Sequence, residues 1–195
     1  METRRKRLII VVGKTSCGKD TVCNHMKEKY GIGQICSYTT RKMRDYEEDG
    51  VQHYFVSEEK MDELEKRSDI LAWTKFPKTG IRYCATLGSM GDTEAMSYIV
   101  DPNGVDYLLD RAENLNADLI ILYLHASENV IRKRAALRGD DPKNIDARIA
   151  SESEQFDNFM RNKRYDYLIN TEVPKKQVLH KIDEILEDAG FITLC

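Results

Sequence analysis

No one sign of charge dominates this chain. Lys and Arg number 30 against 33 Asp and Glu, a formal charge of -3 over 195 residues, so the electrostatic footprint that a nucleic acid partner needs is missing. A small anion held by local positive charge is still allowed. Long hydrophobic runs are absent too. The opening METRRKR has the basic look of a leader, but the apolar run behind it, Leu8 to Val12, is far too short for a signal core or a membrane span. A cytoplasmic protein without membrane contact is expected. Cys17, Cys23, Cys36, Cys84 and Cys195 are odd in number and never spaced C-x-x-C, which argues against a disulfide framework and a zinc site and leaves reduced thiols. Neither repeats nor low-complexity tracts occur, and quaternary state is not legible.

What is there fits one compact unit with small appendages. Apolar runs alternate with helix-period stretches: Leu8 to Val12 then Lys19 to Tyr30, Ser97 to Asp101 then Val105 to Asn114, Asp118 to Leu124 then Ser127 to Leu137, and Tyr167 to Asn170 then Lys175 to Asp188. This alternation predicts an α/β fold, a parallel sheet flanked by helices. Between residues 34 and 88 the rhythm breaks. A short strand, a helix that Ser57 can cap ahead of Glu58 and Glu59, and a second strand-like run suggest an inserted subdomain. The polar segment Arg138 to Arg148, with a Gly and a Pro between two helical patterns, reads as a mobile flap. The core is then residues 1–33, 89–137 and 160–195.

The stretch IIVVGKTSCGKDT, Ile9 to Thr21, satisfies G-x-x-x-x-G-K through Gly13, Gly18 and Lys19. Its setting, after a buried strand and before a helix, is that of a phosphate-binding loop. There the amides of Lys14, Thr15, Ser16, Cys17, Gly18, Lys19, Asp20 and Thr21 can turn toward a polyphosphate, the helix dipole adds about half a positive charge, and Lys19 reaches the transferring phosphate. The spacing predicts a polyphosphate site. Asp20 stands where a hydroxyl usually binds magnesium; a carboxylate is also a hard oxygen ligand, so Mg²⁺ is expected at Asp20, held directly or through water. Cys17 reads as a small residue filling the turn. The alternative is a redox-responsive thiol whose pKa falls beside the helix N-terminus.

Further on, SYTTRKMR, Ser37 to Arg44, places two arginines three apart after a run of hydroxyl residues. Such a pair can fork onto one phosphate monoester, each charge-assisted contact being worth about 1.5 to 3 kcal/mol. A second phosphorylated substrate fits; a solvated basic turn is the plain alternative. His25, His125 and His180 suit core or surface roles, and Trp73 and Phe76 suit packing.

Taken together, VVGKTSCGKDT, SYTTRKMR, HYFVSEEKM, ILAWTKF, VDPNGV and IRKRAALRG followed by Arg148 resemble the guanylate kinases along nearly the whole chain. That resemblance implies a P-loop NTPase-type core with an inserted NMP-binding subdomain and a lid. It also implies that Ser37, Arg41 and Arg44 bind the phosphate of GMP, with Tyr83 touching it. Arg134 and Arg148 would reach the phosphoryl group, Arg138 and Asn170 would lie on the ATP side, and Asp101 would stand close to the acceptor base. Plain solvated helix faces remain the alternative for Arg134 and Arg138, four apart, and for Arg148. The chain departs from the family pattern at the base. Ala72 falls where the family carries the glutamate that reads guanine, Ala85 replaces a base-contacting serine, and Ile99 replaces an acidic residue. His53 replaces a phosphate-contacting tyrosine, with Tyr54 as the alternative after a one-residue shift.

The implied reaction is in-line transfer of the γ-phosphoryl of ATP to an acceptor phosphate oxygen. Lys19, Arg44, Arg134 and Arg148 would neutralise charge, and closure of the lid would exclude water. ATP + GMP to ADP + GDP is the leading expectation. Because a hydrogen-bonding pocket can reject an analogue by about 10⁴-fold, the alanines keep two alternatives open. One is a kinase of another phosphorylated small molecule, a deoxynucleotide or a ribose bisphosphate; the other is a silent interaction module, which the intact Lys19 disfavours.

Overall fold

The computed structural model describes residues 5–45, 47–51, 53–67, 69–76, 79–90, 93–111 and 117–192; Asn114 and Cys195 lie outside them. Strand β1 (Lys6–Val12) leads into helix α1 (Lys19–Tyr30), and strands β2 (Gly33–Gln34) and β3 (Ser37–Thr39) follow. Next come β4 (His53–Phe55), α2 (Glu58–Glu65), β5 (Ile70–Lys75), β6 (Arg82–Thr86) and a single 3₁₀ turn at Leu87–Met90. The chain continues through β7 (Ala95–Ile99), α3 (Pro102–Leu109), β8 (Ala117–His125) and α4 (Glu128–Arg138). It closes with α5 (Pro142–Asn162), β9 (Tyr167–Asn170) and α6 (Lys175–Asp188).

The larger sheet has the order β2-β7-β1-β8-β9 and is parallel throughout. Its central strand shows why a continuous apolar run was needed, since side chains alternate between two buried faces. Ile9 and Val11 enter one cluster, with Val22 and Met26 of α1, Ile131 of α4 and Ile182 and Leu186 of α6. Leu8, Ile10 and Val12 enter the other, with Val105 and Leu108 of α3 and Phe156 and Phe159 of α5. The chain leaves β1 toward the β2 edge but leaves β7 toward β8 on the other side of β1, so the carboxyl ends of β1 and β7 flank a topological switch point, where open α/β sheets bind ligands.

The smaller sheet has the order β4-β3-β6-β5, with β3 and β4 parallel and the other pairs antiparallel. Ser57 caps α2 as its sequence suggests, its side chain accepting from the Lys60 amide at 3.2 Å. Two boundaries differ from the sequence reading. Gln34, assigned there to the insertion, still belongs to β2 and pairs with Ser97 in the large sheet. The supposed flap is mostly helix: α4 stops at Gly139 (φ 85°), Asp141 accepts from the Asn144 amide, and α5 runs from Pro142 without a break to Asn162. An N-cap Asp followed by Pro at N1 is a helix start, a signal outweighed in the reading by the Gly and Pro taken as breakers. No helix among the described residues is long and apolar enough to cross a membrane.

Candidate active site

β1 delivers the donor loop to the switch point, and Gly13 sets its first turn. A Cβ there would stand 2.6 Å from the carbonyl oxygen of Leu124 on β8, so only glycine lets the loop pass. Ser16 (φ 56°) and Gly18 (φ 95°) take left-handed backbone and turn the chain into α1, whose first amides no side chain caps. Lys19 folds over this loop. Its ammonium donates to the carbonyls of Gly13 at 2.8 Å and Lys14 at 2.9 Å, and burial lowers its pKa. Beside it lies a cavity of about 310 Å³ lined by Ser16, Gly18, Lys19, Asp20, Arg134 and Arg138, among others.

Cys17 is buried within the loop at 1% exposure, and that burial pushes its thiol pKa up. The loss of solvation outweighs the nearby positive charge of Lys19, so the structure corrects the redox-responsive alternative and keeps the turn filler. Asp20 is exposed at the cavity wall. No group of three or more His, Cys, Asp or Glu among the described residues could hold a metal alone. A lone carboxylate beside a phosphate site does suit Mg²⁺, which is commonly held by one or two carboxylates plus substrate phosphates.

Around the cavity, Arg134 braces the loop. It donates to the Ser16 carbonyl at 3.3 Å, to Thr171 Oγ1 at 3.1 Å and to the Thr171 carbonyl, joining the loop to the end of β9. Arg138 reaches Ser16 Oγ at 3.2 Å and pairs with Asp140. Asn170 is exposed at the end of β9, where its side-chain oxygen accepts from the Glu172 amide. Arg148, on α5, is 55% exposed and lies 3.5 Å from Glu152.

The second cluster hangs on β3, β4 and β6. In the β3/β4 register Ser37 faces His53, and Ser37 Oγ and His53 Nδ1 are 2.9 Å apart. Burial, then the charge of Arg41, lowers the His53 pKa. Arg41 grips Glu47 through two hydrogen bonds of 2.8 Å and donates to the Tyr83 hydroxyl at 3.3 Å. Glu47 also accepts from the Arg44 amide at 2.8 Å, and these partners, Arg41 first, pull its pKa down to about 2. Ser37, Arg41, His53 and Tyr83 are thus brought together, with the Arg44 side chain 53% exposed beside them. Tyr54 does not join them: strand alternation turns it to the opposite face, stacked on Tyr38 at 5.0 Å. The Asp140 carboxyl is held low by its hydrogen bond to Arg138 and by the charges of Arg138, Arg148 and Arg44.

Elsewhere the structure gives predicted residues plainer settings. Asp101 caps α3, accepting from the Gly104 amide at 2.8 Å and from Gln155 Nε2 at 3.4 Å. Ala72 and Ala85 face each other across β5 and β6, buried at 4% and 0% in an apolar cluster with Leu71 and Tyr98. Phe76, expected to pack, is 44% exposed, its ring edge-to-face with that of Tyr83. Two carboxylates escaped the reading. Glu47 follows Arg44 by three residues; Glu152 follows Arg148 by four, and its Oε2 accepts from the Thr15 amide at 2.9 Å. The i, i+4 spacing would have exposed the second, had α5 been recognised as one helix.

Comparison with known proteins gives a consistent picture. A family profile described as guanylate kinase matches residues 5–189. Guanylate kinase of Streptomyces coelicolor is 30% identical over 152 residues, covering 75% of each chain. That of Fusobacterium nucleatum is 26% identical over 188 residues, covering 93% of this chain and 96% of its own. Among solved structures, guanylate kinase from Anaplasma phagocytophilum superposes with a TM-score of 0.64 at 18% identity, over 98% of this chain and 89% of that one.

Proposed function

The chain belongs to the guanylate kinase family, and from that premise we propose that it transfers the γ-phosphoryl of ATP to the phosphate of GMP, giving ADP and GDP. The observation that carries the reading is the presence of two phosphate-seeking clusters: the loop with Lys19 in one, and Ser37, Arg41 and Tyr83 in the other. An acceptor phosphate oxygen attacks the γ-phosphorus in line as the bond to the β,γ-bridging oxygen breaks, and ADP carries away that electron pair. The oxygen is already anionic, so alignment and positive charge do most of the work. Lys19, Arg44 and Arg148 supply the charge, Arg134 and Arg138 hold the loop in shape, and Arg41 with Tyr83 fixes the acceptor. Mg²⁺, when bound with ATP beside Asp20, neutralises polyphosphate charge. The insertion that follows Gln34, up to residue 88, acts as the acceptor-binding unit, and the 138–148 segment acts as a lid that turns about Gly139.

The facing pair Ala72 and Ala85 favours a second reading of the acceptor, since two buried methyl groups offer a base no hydrogen bond. A kinase of the same construction would then take another phosphorylated small molecule. A coupled ADP-release assay with Mg²⁺ and ATP decides, offering GMP, dGMP, AMP, CMP, UMP and a ribose bisphosphate in parallel. Turnover with GMP that Lys19→Ala reduces by about 10²-fold or more fits the first reading. Turnover confined to the sugar phosphate selects the second. An Lys19→Ala protein as active as the parent would sink both.

A further inference from the structure

The transfer reaction leaves Glu152 unexplained. It stands on α5, the helix that carries Arg148, and two groups that would attract a phosphoryl oxygen converge on it. Its Oε2 takes the hydrogen of the Thr15 amide at 2.9 Å, and its Oε1 lies 3.5 Å from Arg148 Nη2. Its negative charge also acts on the Lys19 ammonium that covers the loop. The side chain is 22% exposed, so it is held within the mouth of the loop rather than waving over it. Carboxylate and phosphoryl oxygens compete for the same donors, because both accept charge-assisted hydrogen bonds of similar length. The single Thr15 amide hydrogen cannot serve both.

We propose that Glu152 is an internal stand-in for the donor's terminal phosphoryl group. In the empty protein it holds Thr15 and Arg148 together and pins α5 to the loop. An entering triphosphate displaces it, taking the Thr15 amide and freeing Arg148 to turn to the transferring group. Glu152 is a positioning residue in this scheme: it couples occupation of the donor loop to movement of the lid helix, and it lowers apparent donor affinity by the fraction of molecules in which it is seated. The proposal rests on the reading of the loop as a triphosphate site, and its test separates the two.

Calorimetric titration with Mg²⁺ and ATP compares the parent protein with Glu152→Gln, Glu152→Asp and Glu154→Gln. Glu152→Gln removes the charge that competes, and Glu152→Asp keeps the charge but withdraws it by one methylene from Thr15. Both are expected to bind ATP roughly tenfold more tightly, as for a seat filled nine-tenths of the time. Glu154→Gln removes an equal charge from an exposed position on the same helix and should stay within about twofold, as screening of a solvated charge dictates. In the parent, the Thr15 amide nitrogen resonance should already lie near its ATP-bound position, and Glu152→Asp should shift it in the absence of ligand. A parent that fails to bind ATP overturns the donor-site reading itself. With ATP binding intact, unchanged or weaker affinity in Glu152→Gln overturns the stand-in. Equal tightening in Glu154→Gln, or parent-like binding by Glu152→Asp beside a tightened Glu152→Gln, overturns it too, because charge alone would then account for the effect.

Discussion

His53 and Ser37 share one hydrogen bond of 2.9 Å in the acceptor cluster, and the environment of the imidazole fixes how the protein responds to acid. Burial and the adjacent Arg41 lower the His53 pKa in the folded chain, whereas in the unfolded chain it returns to about 6.5. As pH falls below about 6.5 the unfolded state takes the proton first, so this contribution to stability is complete above that value and is lost beneath it. Glu47 behaves similarly in a lower window: its contribution is present above about 4.5 and is lost as pH falls toward about 2. Urea midpoints at pH 7.5 and 5.5 therefore isolate the histidine. The parent should lose stability between them, and His53→Gln should lose less; equal losses would remove His53 as the cause. At this scale the sequence was legible where a backbone requirement was local, as at Gly13 and Gly18. Tyr54, Phe76 and Asp101 were less legible, because strand facing and helix capping depend on neighbours brought in from elsewhere in the chain.

Among the elements, α2 and the small sheet depend on a single guanidinium. Arg82 of β6 is 10% exposed and binds Glu58, Asp62 at 2.6 Å and Glu65 at 2.8 Å, all on α2. Glu65 also accepts from the Trp73 indole at 2.7 Å, so the helix is tied to β5 as well. These partners raise the Arg82 pKa, and the cation persists at any working pH. Removing Arg82 would leave Glu58 and Asp62 facing water, at 60% and 58% exposure, rather than stranded in the core. Arg82→Met should therefore cost about 2 kcal/mol, the worth of a charge-assisted hydrogen bond rather than of a broken buried pair. A urea midpoint unmoved by this substitution would show that α2 is held by its apolar face, Met61 and Leu64, alone. The elements themselves were largely readable from periodicity, since each strand of the large sheet apart from the two-residue β2 is a short apolar run and each helix repeats at helical spacing. α5 was the exception. Its polar first turn resembles a loop, and only the cap at Asp141 with Pro142 marks it as helix.

For the whole molecule, the question is whether the insertion and the parallel core melt together. A chain of 195 residues with a second sheet is large enough for a separate transition. The packing argues otherwise. Leu71 and Ala72 of β5 and Ala85 of β6 belong to the same apolar cluster as Leu8, Ile10 and Val12 of β1, Tyr98 of β7 and Leu108 of α3. Fully burying one large side chain is worth about 1.5 to 3 kcal/mol, and a whole domain is stable by only about 5 to 15 kcal/mol. Stripping the small sheet away would uncover several such side chains on the core's own face, and what remained would have little reason to stay folded. The chain provides its own reporter, because Trp73 on β5 is its one tryptophan. Tryptophan fluorescence follows the small sheet, while far-ultraviolet circular dichroism follows mainly the helices around the large one. In urea the two curves should coincide, and they should shift together when Leu71→Ala opens the shared cluster at a cost of about 2 to 5 kcal/mol. A fluorescence transition that runs ahead of the dichroism would mean that the insertion unfolds independently and that the shared cluster does not couple the two sheets.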